Sequence, residues 1–267
     1  MLERERHSLI LRLVEERSIV SVADLVELIG ASEATVRRDI GALAERGEVK
    51  RVRGGAEAVH PRHQAHLVGM PFALSRAIAA PQKRAIARAA ADMIGDGESI
   101  IIGGGTTAFA MAEFLTDRDL DILTNSIPVA MLLLSRSRNR ITLPGGTIFR
   151  EHNLVLSPFP GDVSTRFWAS HLFMGCHGIN RFGVMETDPM IVQAMARLIE
   201  RAERLVVMAD GRKLRQRSAM VLAGLDRIHT LITDDGAREE DLQVFRAAGI
   251  EVIVARSEAP EALEQVA

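Results

Sequence analysis

The stretch ASEATVRRDIGALAERGEVKRVRGGAEA, residues 31–58, carries two adjacent arginines on a short helical pattern, and a basic hairpin pattern follows directly. Val36, Ile40 and Leu43 recur at helical spacing and predict the buried face of a helix. The opposite face presents Ala34, Arg38, Gly41 and Glu45, flanked by Thr35 and Arg37. After Gly47, which ends the helix, EVKRVRGGAEAV alternates around Gly54-Gly55 and predicts a small β-hairpin.

Two further helices are predicted before this stretch. Residues 3–17 place Leu9, Ile10, Leu13 and Val14 on one helical face. Ser21, with Asp24 three residues later, is typical of a capping box and opens a second helix that ends at Gly30. Ser32 is placed to cap the third helix. The first 57 residues are therefore predicted to form three helices and a hairpin.

This arrangement suits a protein that binds duplex DNA. Such a protein needs an element that fits the major groove, cations for the phosphates and donors for the base edges. The third helix offers these groups near its N-terminal end, and the basic hairpin would lie along the backbone as a wing. We expect DNA contacts from Ser32, Ala34, Thr35, Arg37, Arg38, Lys50, Arg51 and Arg53.

The charges are concentrated where this geometry needs them. Residues 1–57 hold ten Lys/Arg and eleven Asp/Glu, but residues 35–53 hold six against three. The near-neutral total leaves open an alternative in which the three helices dock proteins through a solvated charged face. The clustered positive charge favours DNA.

The same residues resemble a known family. SEATVRRDI followed by RVRGGA closely resembles the winged helix-turn-helix of the DeoR family of bacterial transcriptional regulators, whose usual pattern is T-[IV]-R-R-D-L and a hairpin ending R-x-H-G-G-A. Ile40 replaces the usual leucine conservatively, and Arg53 replaces the common histidine and adds a charge to the wing. The resemblance implies an operator-binding regulator.

Composition sets outer limits on the class of protein. The chain has 267 residues, 47% hydrophobic and 25% charged, which is a globular balance with enough core for two domains. The formal charge of −2 excludes a uniformly basic nucleic-acid coat, and the single cysteine, Cys176, excludes an intrachain disulfide framework. Because the sequence shows no signal-peptide core and no apolar run of roughly 20 residues, we expect a cytoplasmic protein without membrane contact.

Residues 58–71 mix prolines, histidines and polar residues without periodicity, and we predict a linker there between domains at 1–57 and 72–267. His60, His63 and His66 recur at three-residue spacing within it. No carboxylate or cysteine completes a ligand set, so a solvated linker is favoured over a metal site. We expect no metal and no cofactor.

The remaining sequence predicts an α/β domain. From residue 81 helical patterns alternate with short apolar strands, which is typical of a mostly parallel, Rossmann-like sheet covered by helices on both faces. Polar clusters follow five of the strands, and ligands in such sheets bind at the carboxyl ends of strands. The first cluster, IIIGGGTTA at 100–108, has glycines and hydroxyls that suit a phosphate but lacks the spacing of a nucleotide-binding loop.

These clusters resemble the C-terminal sensor domain of the DeoR family, which is similar to ribose-5-phosphate isomerases. The family pattern is D-x-G-T-T, then T-N-[ST], G-G and D-x-S-K, with Gly103 here in place of Asp and Arg212 in place of Ser. REHNLVLSPF at 150–159 and the R-x-G-A-E-A wing look most like the branch of ascorbate-utilisation repressors. The resemblance implies a phosphorylated sugar or sugar acid as effector. Its expected contacts are Gly104, Gly105, Thr106, Thr107, Thr124, Asn125, Ser126, Gly145, Gly146, Arg150, Glu186, Asp210 and Lys213.

Several of these residues have structural alternatives. Asp188 precedes Pro189 and is as well placed to cap a helix as to join Glu186 at a ligand. Arg150 suits an anion and a surface position equally. Cys176 and His177 are adjacent, and adjacent residues on a strand point to opposite faces, so packing is favoured over a nucleophile and base pair. Trp168 is favoured as a core or interface residue.

Three classes of function remain at this stage. The leading hypothesis is an effector-controlled transcription regulator, a repressor of a carbohydrate-catabolic operon acting as a homo-oligomer, dimer or tetramer, and not an enzyme. The alternative is a sugar-phosphate isomerase-like enzyme with an accessory head, but the isomerase-type loop D-G-A-[DE] is absent from the sequence. A pure protein-docking module is the third.

Overall fold

The structure is a computed structural model, and it describes residues 2–17, 19–52, 54–59, 72–150, 152–157, 159 and 161–257. Contacts divide the chain into two compact units, Met1–Pro71 and Phe72–Ala267. The predicted linker lies almost entirely outside the described residues, and with it His60, His63 and His66.

The first unit has the predicted three helices and hairpin, with one additional short strand. Its elements are α1 (Glu3–Arg17), β1 (Ile19–Ser21), α2 (Val22–Ile29), α3 (Glu33–Glu45), β2 (Val49–Val52) and β3 (Gly55–Ala58). The antiparallel sheet has the order β1-β3-β2. Gly55 must be glycine because a Cβ there would lie 2.1 Å from the Val20 carbonyl oxygen across the β1–β3 pair.

The caps of the first unit follow the sequence signals. Ser21 accepts a hydrogen bond from the Asp24 amide, and Ser32 accepts one from the Thr35 amide. Gly30 ends α2 with φ of 67°, in the left-handed region that favours glycine. The core that these helices enclose is Ile10, Leu13, Val14, Val20, Val22, Leu25, Ile29, Val36, Ile40, Leu43, Val49, Ala56 and Ala58.

The second unit alternates strands and helices as predicted. Its helices are α4 (Phe72–Ala77), α5 (Ala80–Ala91), α6 (Thr106–Ala112), α7 (Ile127–Arg136), α8 (Pro189–Ile199) and α9 (Glu239–Ala247). The strands of its main sheet are β4 (Ser99–Ile102), β5 (Asp121–Thr124), β6 (Arg140–Thr142), β9 (Ala169–Met174), β12 (Ala202–Met208), β14 (Thr230–Asp234) and β15 (Glu251–Ala255).

This main sheet is entirely parallel, with the order β15-β14-β12-β9-β4-β5-β6. Its central strands are buried on both faces: Ile100 and Ile102 pack with α5, α6 and α7, whereas Ile101 packs with α8 and α9. The predicted fold class, a winged helix-turn-helix unit plus a Rossmann-like α/β unit, is confirmed.

The strand order reverses direction at β4. From β4 the chain moves outward through β5 to β6, then returns to place β9 on the other side of β4. The connections that leave β4 and β9 therefore diverge, and a crevice at such a switch point is where open α/β sheets bind ligands. The topology thus singles out the carboxyl ends of β4 and β9.

Several short elements were not predicted. Two small antiparallel groups join β7 (Thr147–Phe149) with β8 (Leu154–Leu156), and β10 (Gly178–Asn180) with β11 (Gly183–Glu186) and β13 (Met220–Ala223). The helix α4 was also missed. Over the described ranges, no helix combines the length and apolar character needed to cross a membrane.

Candidate functional site

The exposed face of α3 carries the predicted DNA-contacting residues. Ala34 and Arg38 are exposed, while Val36 and Ile40 are buried on the opposite face, as predicted. At the N-terminal end, the Ser32 and Thr35 hydroxyls lie 2.9 Å apart. The start of α3 thus presents two hydroxyls at a helix N-terminus, a combination that suits a phosphate.

The two adjacent arginines differ in their partners. Arg37 donates two hydrogen bonds to Glu33 Oε1, at 2.9 Å from Nε and 2.6 Å from the terminal nitrogen. Arg38 is exposed and has no hydrogen bond or ion pair within the described part of the chain. Arg38 is therefore the arginine of α3 that is available to a polyanion, and Arg37 must first leave Glu33.

The hairpin presents its cations to solvent. Lys50 and Arg51 on β2 are both exposed, whereas Val49 is buried. Neither cation forms an ion pair with another described residue, so both are available to phosphates. Arg53, the third predicted wing cation, lies outside the described residues.

Asp39, the residue after the two arginines, has a structural role that the sequence analysis missed. Its side chain is buried on α3, where Arg6 of α1 donates to both carboxylate oxygens and His7 Nε2 lies 3.2 Å from Oδ1. Arg46 at the end of α3 contacts the other nitrogen of His7 at 3.0 Å. The signal was available, because Asp39 follows Val36 by three residues and precedes Leu43 by four.

The charge state of Asp39 follows from these partners. Burial alone would raise the pKa of the Asp39 carboxyl, but the hydrogen bonds and charges of Arg6 and His7 outweigh it and lower that pKa below its ordinary value. Asp39 is thus ionised when the first unit is folded, and it ties α3 to α1.

In the second unit, the glycine loop lies after β4, at the switch point. A Cβ at Gly104 would lie 2.2 Å from Leu154 Cδ2, and Gly105 starts α6 with φ of 109°. Both glycines are therefore required by packing and backbone conformation, whether or not a ligand approaches them. Thr106 and Thr107 follow in the first turn of α6 and are buried.

The Thr124-Asn125-Ser126 loop lies beside it, after β5. Thr124 Oγ1 accepts the Ser126 amide at 3.1 Å, and Ser126 caps α7 through the Val129 amide. Asn125 is 1% exposed; its amide nitrogen contacts Met195 Sδ at 3.7 Å and its Oδ1 has no hydrogen-bond partner among the described residues. Buried amides are normally satisfied, so Asn125 is the member of this loop best placed to meet a ligand.

The residues after β12 form a compact charged group. Arg212 donates to both oxygens of Asp210 at 2.9 and 3.1 Å, and Asp210 is buried. Lys213 Nζ donates to the Cys176 carbonyl at 2.5 Å, which joins the end of β12 to the loop after β9. Arg212 stands where the family usually has serine. It thus forms an ion pair with Asp210, the carboxylate that was expected to contact the effector.

The other predicted effector residues are placed as follows. Gly145 and Gly146 lie in the exposed loop after the edge strand β6, and Arg150 is exposed beyond β7. Glu186, at the end of β11, accepts hydrogen bonds from the amide and hydroxyl of Thr187. Asp188 caps α8 by accepting from the Met190 and Ile191 amides. Their contacts with an effector remain predictions.

Two minor predictions have different outcomes. Cys176 is buried, and burial raises the pKa of its thiol to about 11, which fits packing rather than nucleophilic chemistry. However, β9 ends at Met174, so the strand geometry used to separate Cys176 from His177 was wrong. Trp168 is not a core residue of this chain, because 58% of it is exposed.

Comparison with known proteins accounts for both units. The DeoR-like helix-turn-helix domain matches residues 6–62, and the DeoR C terminal sensor domain matches residues 78–235. The chain belongs to the DeoR family. The HTH-type transcriptional regulator UlaR of Shigella dysenteriae is 31% identical over 95% of this chain and 99% of its own, and that of Shigella sonnei is 32% identical over the same shares. The family prediction is confirmed.

Among solved structures, ribose 5-phosphate isomerase A from Methanocaldococcus jannaschii is similar to part of this DeoR-family chain. It covers 49% of this chain and 52% of its own, with 15% identity and a TM-score of 0.36. The likeness is too low to carry a functional argument.

Proposed function

We propose that this DeoR-family chain is a DNA-binding transcription regulator, a repressor of a carbohydrate-catabolic operon. The observation that carries the proposal is the exposed face of α3, where Arg38 has no partner among the described residues and the cations of the wing, Lys50 and Arg51, point to solvent. Both cation groups belong to the unit that matches the family's helix-turn-helix domain. Similarity to regulators named UlaR supports the same function and a place near the ascorbate-utilisation branch.

We further propose that the second unit senses a phosphorylated sugar or sugar acid. The five polar clusters follow strands that are all parallel, so they share one edge of the sheet. That edge offers the start of α6 and the Lys213 ammonium. It also offers Asn125 Oδ1, which has no hydrogen-bond partner among the described residues. These are groups that bind a phosphate and orient a polyol.

Sensing and DNA binding are then linked. An effector that changes operator affinity by some factor must have its own affinity changed by operator binding by the same factor. We assign the two roles to domains at 1–57 and 72–267 joined by a linker at 58–71. The active form is a homo-oligomer that works in the cytosol, where the operator lies.

The test is a mobility shift on DNA from upstream of the chain's own gene, with a panel of phosphorylated sugars and sugar acids. We expect salt-sensitive, sequence-specific binding that one effector weakens. If Arg37→Ala combined with Arg38→Ala leaves specific binding intact, α3 does not contact the operator. Binding that unrelated competitor DNA abolishes as readily as the upstream DNA does would not be sequence-specific, and it would contradict the regulator proposal itself.

The alternative, an isomerase-like enzyme, needs a carboxylate base near the sugar carbons. Both candidate carboxylates already have partners, since Glu186 accepts hydrogen bonds from Thr187 and Asp188 caps α8, and this supports the regulator over the enzyme. Turnover of ribose 5-phosphate that disappears on Glu186→Gln would favour the enzyme.

A further inference from the structure

Lys83, on the first turn of α5, lies at the proposed effector site although no sequence pattern pointed to it. Its ammonium donates to the Ser75 carbonyl of α4. The Ser75 hydroxyl in turn lies 3.4 Å from Thr106 Oγ1, at the start of α6. Lys83 is therefore connected through a single residue, Ser75, to the glycine–threonine loop that follows β4.

The burial of Lys83 is unusual for a lysine. The residue is 3% exposed, whereas lysines are rarely buried unless their charge is paired. An ammonium has three donors, and within the described residues Lys83 uses one of them, on a neutral carbonyl. Among the described residues, its other two donors have no hydrogen-bond partner, which is costly for a buried ammonium unless something binds there.

The charges around Lys83 do not neutralise it. Burial and the positive charge of Lys213 lower the pKa of Lys83, to about 8, against an opposing effect of Asp210. Asp210 is itself held by both hydrogen bonds of Arg212. Three cations, Lys83, Lys213 and Arg212, thus lie near the carboxylate of Asp210. Of the other carboxylates in this region, Asp234 accepts the Gly211 and Gly236 amides, and Glu186 acts on Cys176 together with Lys213. A phosphate monoester carries about two negative charges at neutral pH and would complement the cations.

We propose that Lys83 binds the anionic group of the effector together with Lys213, so that a phosphate dianion lies between the ammoniums of α5 and the β12 loop. The inference rests on the proposed sensing function and names a residue of that site. The hydroxyl of Thr106, which lies 3.4 Å from the Ser75 hydroxyl, would add a donor to the same anion.

A consequence for pH follows. A bound anion favours the charged form of Lys83 and so raises its pKa. Without anion, Lys83 loses its proton near pH 8; with anion, it keeps that proton to higher pH. Binding near and above pH 8 must therefore take up a proton, and affinity for the anion must fall as pH rises through this range.

The chain has three lysines, Lys50, Lys83 and Lys213, which makes a direct test possible. The full-length protein is labelled biosynthetically with ¹³Cε-lysine, and the three NMR signals are titrated with pH, with and without inorganic phosphate or sulfate. Lys83→Arg and Lys213→Arg assign the signals. Sulfate keeps the same charge over the whole pH range of the titration. Any proton taken up when sulfate binds is therefore bound by the protein and not by the anion. We expect the Lys83 midpoint to move upward with either anion and the Lys50 midpoint to stay.

Affinity measurements complete the test. Lys83→Met should bind phosphate about tenfold more weakly or worse, because a charge-assisted bond is lost. Lys83→Arg should keep binding but lose the decline in affinity above pH 8. Arg84→Met is the matched control, since Arg84 neighbours Lys83 on α5 but is 60% exposed.

The outcomes separate the inference from the function on which it rests. If phosphate moves the Lys213 signal and leaves Lys83 unchanged, the sensing site stands and the role of Lys83 is wrong. If neither signal responds to any anion, the sensing site itself is misplaced. A Lys83→Arg variant that is folded but binds phosphate with the same pH dependence as the original chain also overturns the inference.

Discussion

The carboxylate of Asp39 on α3 accepts two hydrogen bonds from the guanidinium of Arg6 on α1, with N–O distances of 2.7 and 3.0 Å. Arg38, the neighbour of Asp39, is exposed on the other side of the same helix. The buried pair therefore fixes the rotation of α3 about its axis, and that rotation decides which side chains face DNA.

Replacement of Asp39 by asparagine should destabilise the first unit, because Arg6 and His7 lose the anion that they share. We expect the unfolding midpoint of that unit to fall by about 5 °C or more, measured by thermal unfolding of the full chain. Glu45→Gln is the control, since Glu45 is exposed on the same helix. Equal midpoints for the two variants would show that the pair does not stabilise α3.

The same pair predicts an acid sensitivity. The folded state lowers the pKa of Asp39 below its ordinary value of 3.8, so its stabilising effect is complete above that value. The effect is lost as pH falls from 3.8 toward the lower folded-state pKa. The stability difference between the original chain and Asp39→Asn, measured by urea unfolding, should thus be constant near neutral pH and shrink below about pH 4. A difference that grows on acidification would contradict this.

The two arginines of α3 should contribute unequally to operator binding. Arg38→Ala removes a cation that has no partner among the described residues, and we expect about a tenfold or greater loss of affinity. Arg37→Ala should cost less, because Arg37 must break its pair with Glu33 before it contacts DNA. Fluorescence anisotropy at several salt concentrations measures both. Arg12→Ala, at an exposed position on α1, serves as control. The reverse order of effects would show that the Glu33 pair positions Arg37 for DNA.

Asn125 and Asn139 form a matched pair for the effector site. Asn139 is buried and satisfied, since its amide donates to the Leu115 carbonyl and its oxygen accepts the Leu120 amide. Asn139→Ala should therefore lower stability and leave effector affinity unchanged. Asn125→Asp should lower effector affinity, because it places a negative charge in a site whose ligand is an anion. Isothermal titration with the effector found in the panel, together with thermal unfolding, distinguishes the two. Unchanged affinity in Asn125→Asp would remove Asn125 from the site.

Gly104 and Gly105 should respond differently to alanine. Gly104→Ala places a methyl group against Leu154 and should cost about 1–3 kcal/mol, part of which Leu154→Ala recovers. Gly105→Ala should cost a similar amount through its positive φ, with no recovery from Leu154→Ala, since nothing lies within 4 Å of a Cβ there. Urea unfolding of the single and double variants gives the coupling. Equal coupling at both glycines would contradict the packing explanation for Gly104.

The sequence predicted the elements that have strong periodicity or strong caps. Ser21, Gly30 and Ser32 marked helix boundaries because their local hydrogen bonds and backbone conformation depend on near neighbours. The strands β7, β8, β10, β11 and β13 were missed because each has three or four residues and forms antiparallel pairs outside the alternation of strands and helices that predicted the main sheet.

The residues of the candidate sites also differ in how far a local sequence pattern could predict them. The exposure of Arg38 was predicted correctly from helical phase alone, since one face of α3 must be apolar, and its contact with DNA stays a prediction. Asp39 and Lys83 were missed because their roles depend on Arg6 and Ser75, which no local pattern connects to them. Arg212 was identified from the sequence only as a departure from the family pattern. The structure shows that it forms an ion pair with Asp210.

The loop that carries Asn125 is held by a segment almost thirty residues away in the chain. The Ile127 amide donates to the Asn153 carbonyl at 2.9 Å, and the Val155 amide donates to the Asn125 carbonyl at 2.8 Å. The two amides flank one antiparallel bridge between Ser126 and Leu154, so a single opening event exposes both to solvent. Their hydrogen-exchange rates should therefore be governed by one free energy of opening, and they provide a label-free record of how firmly the Asn125 side chain is positioned.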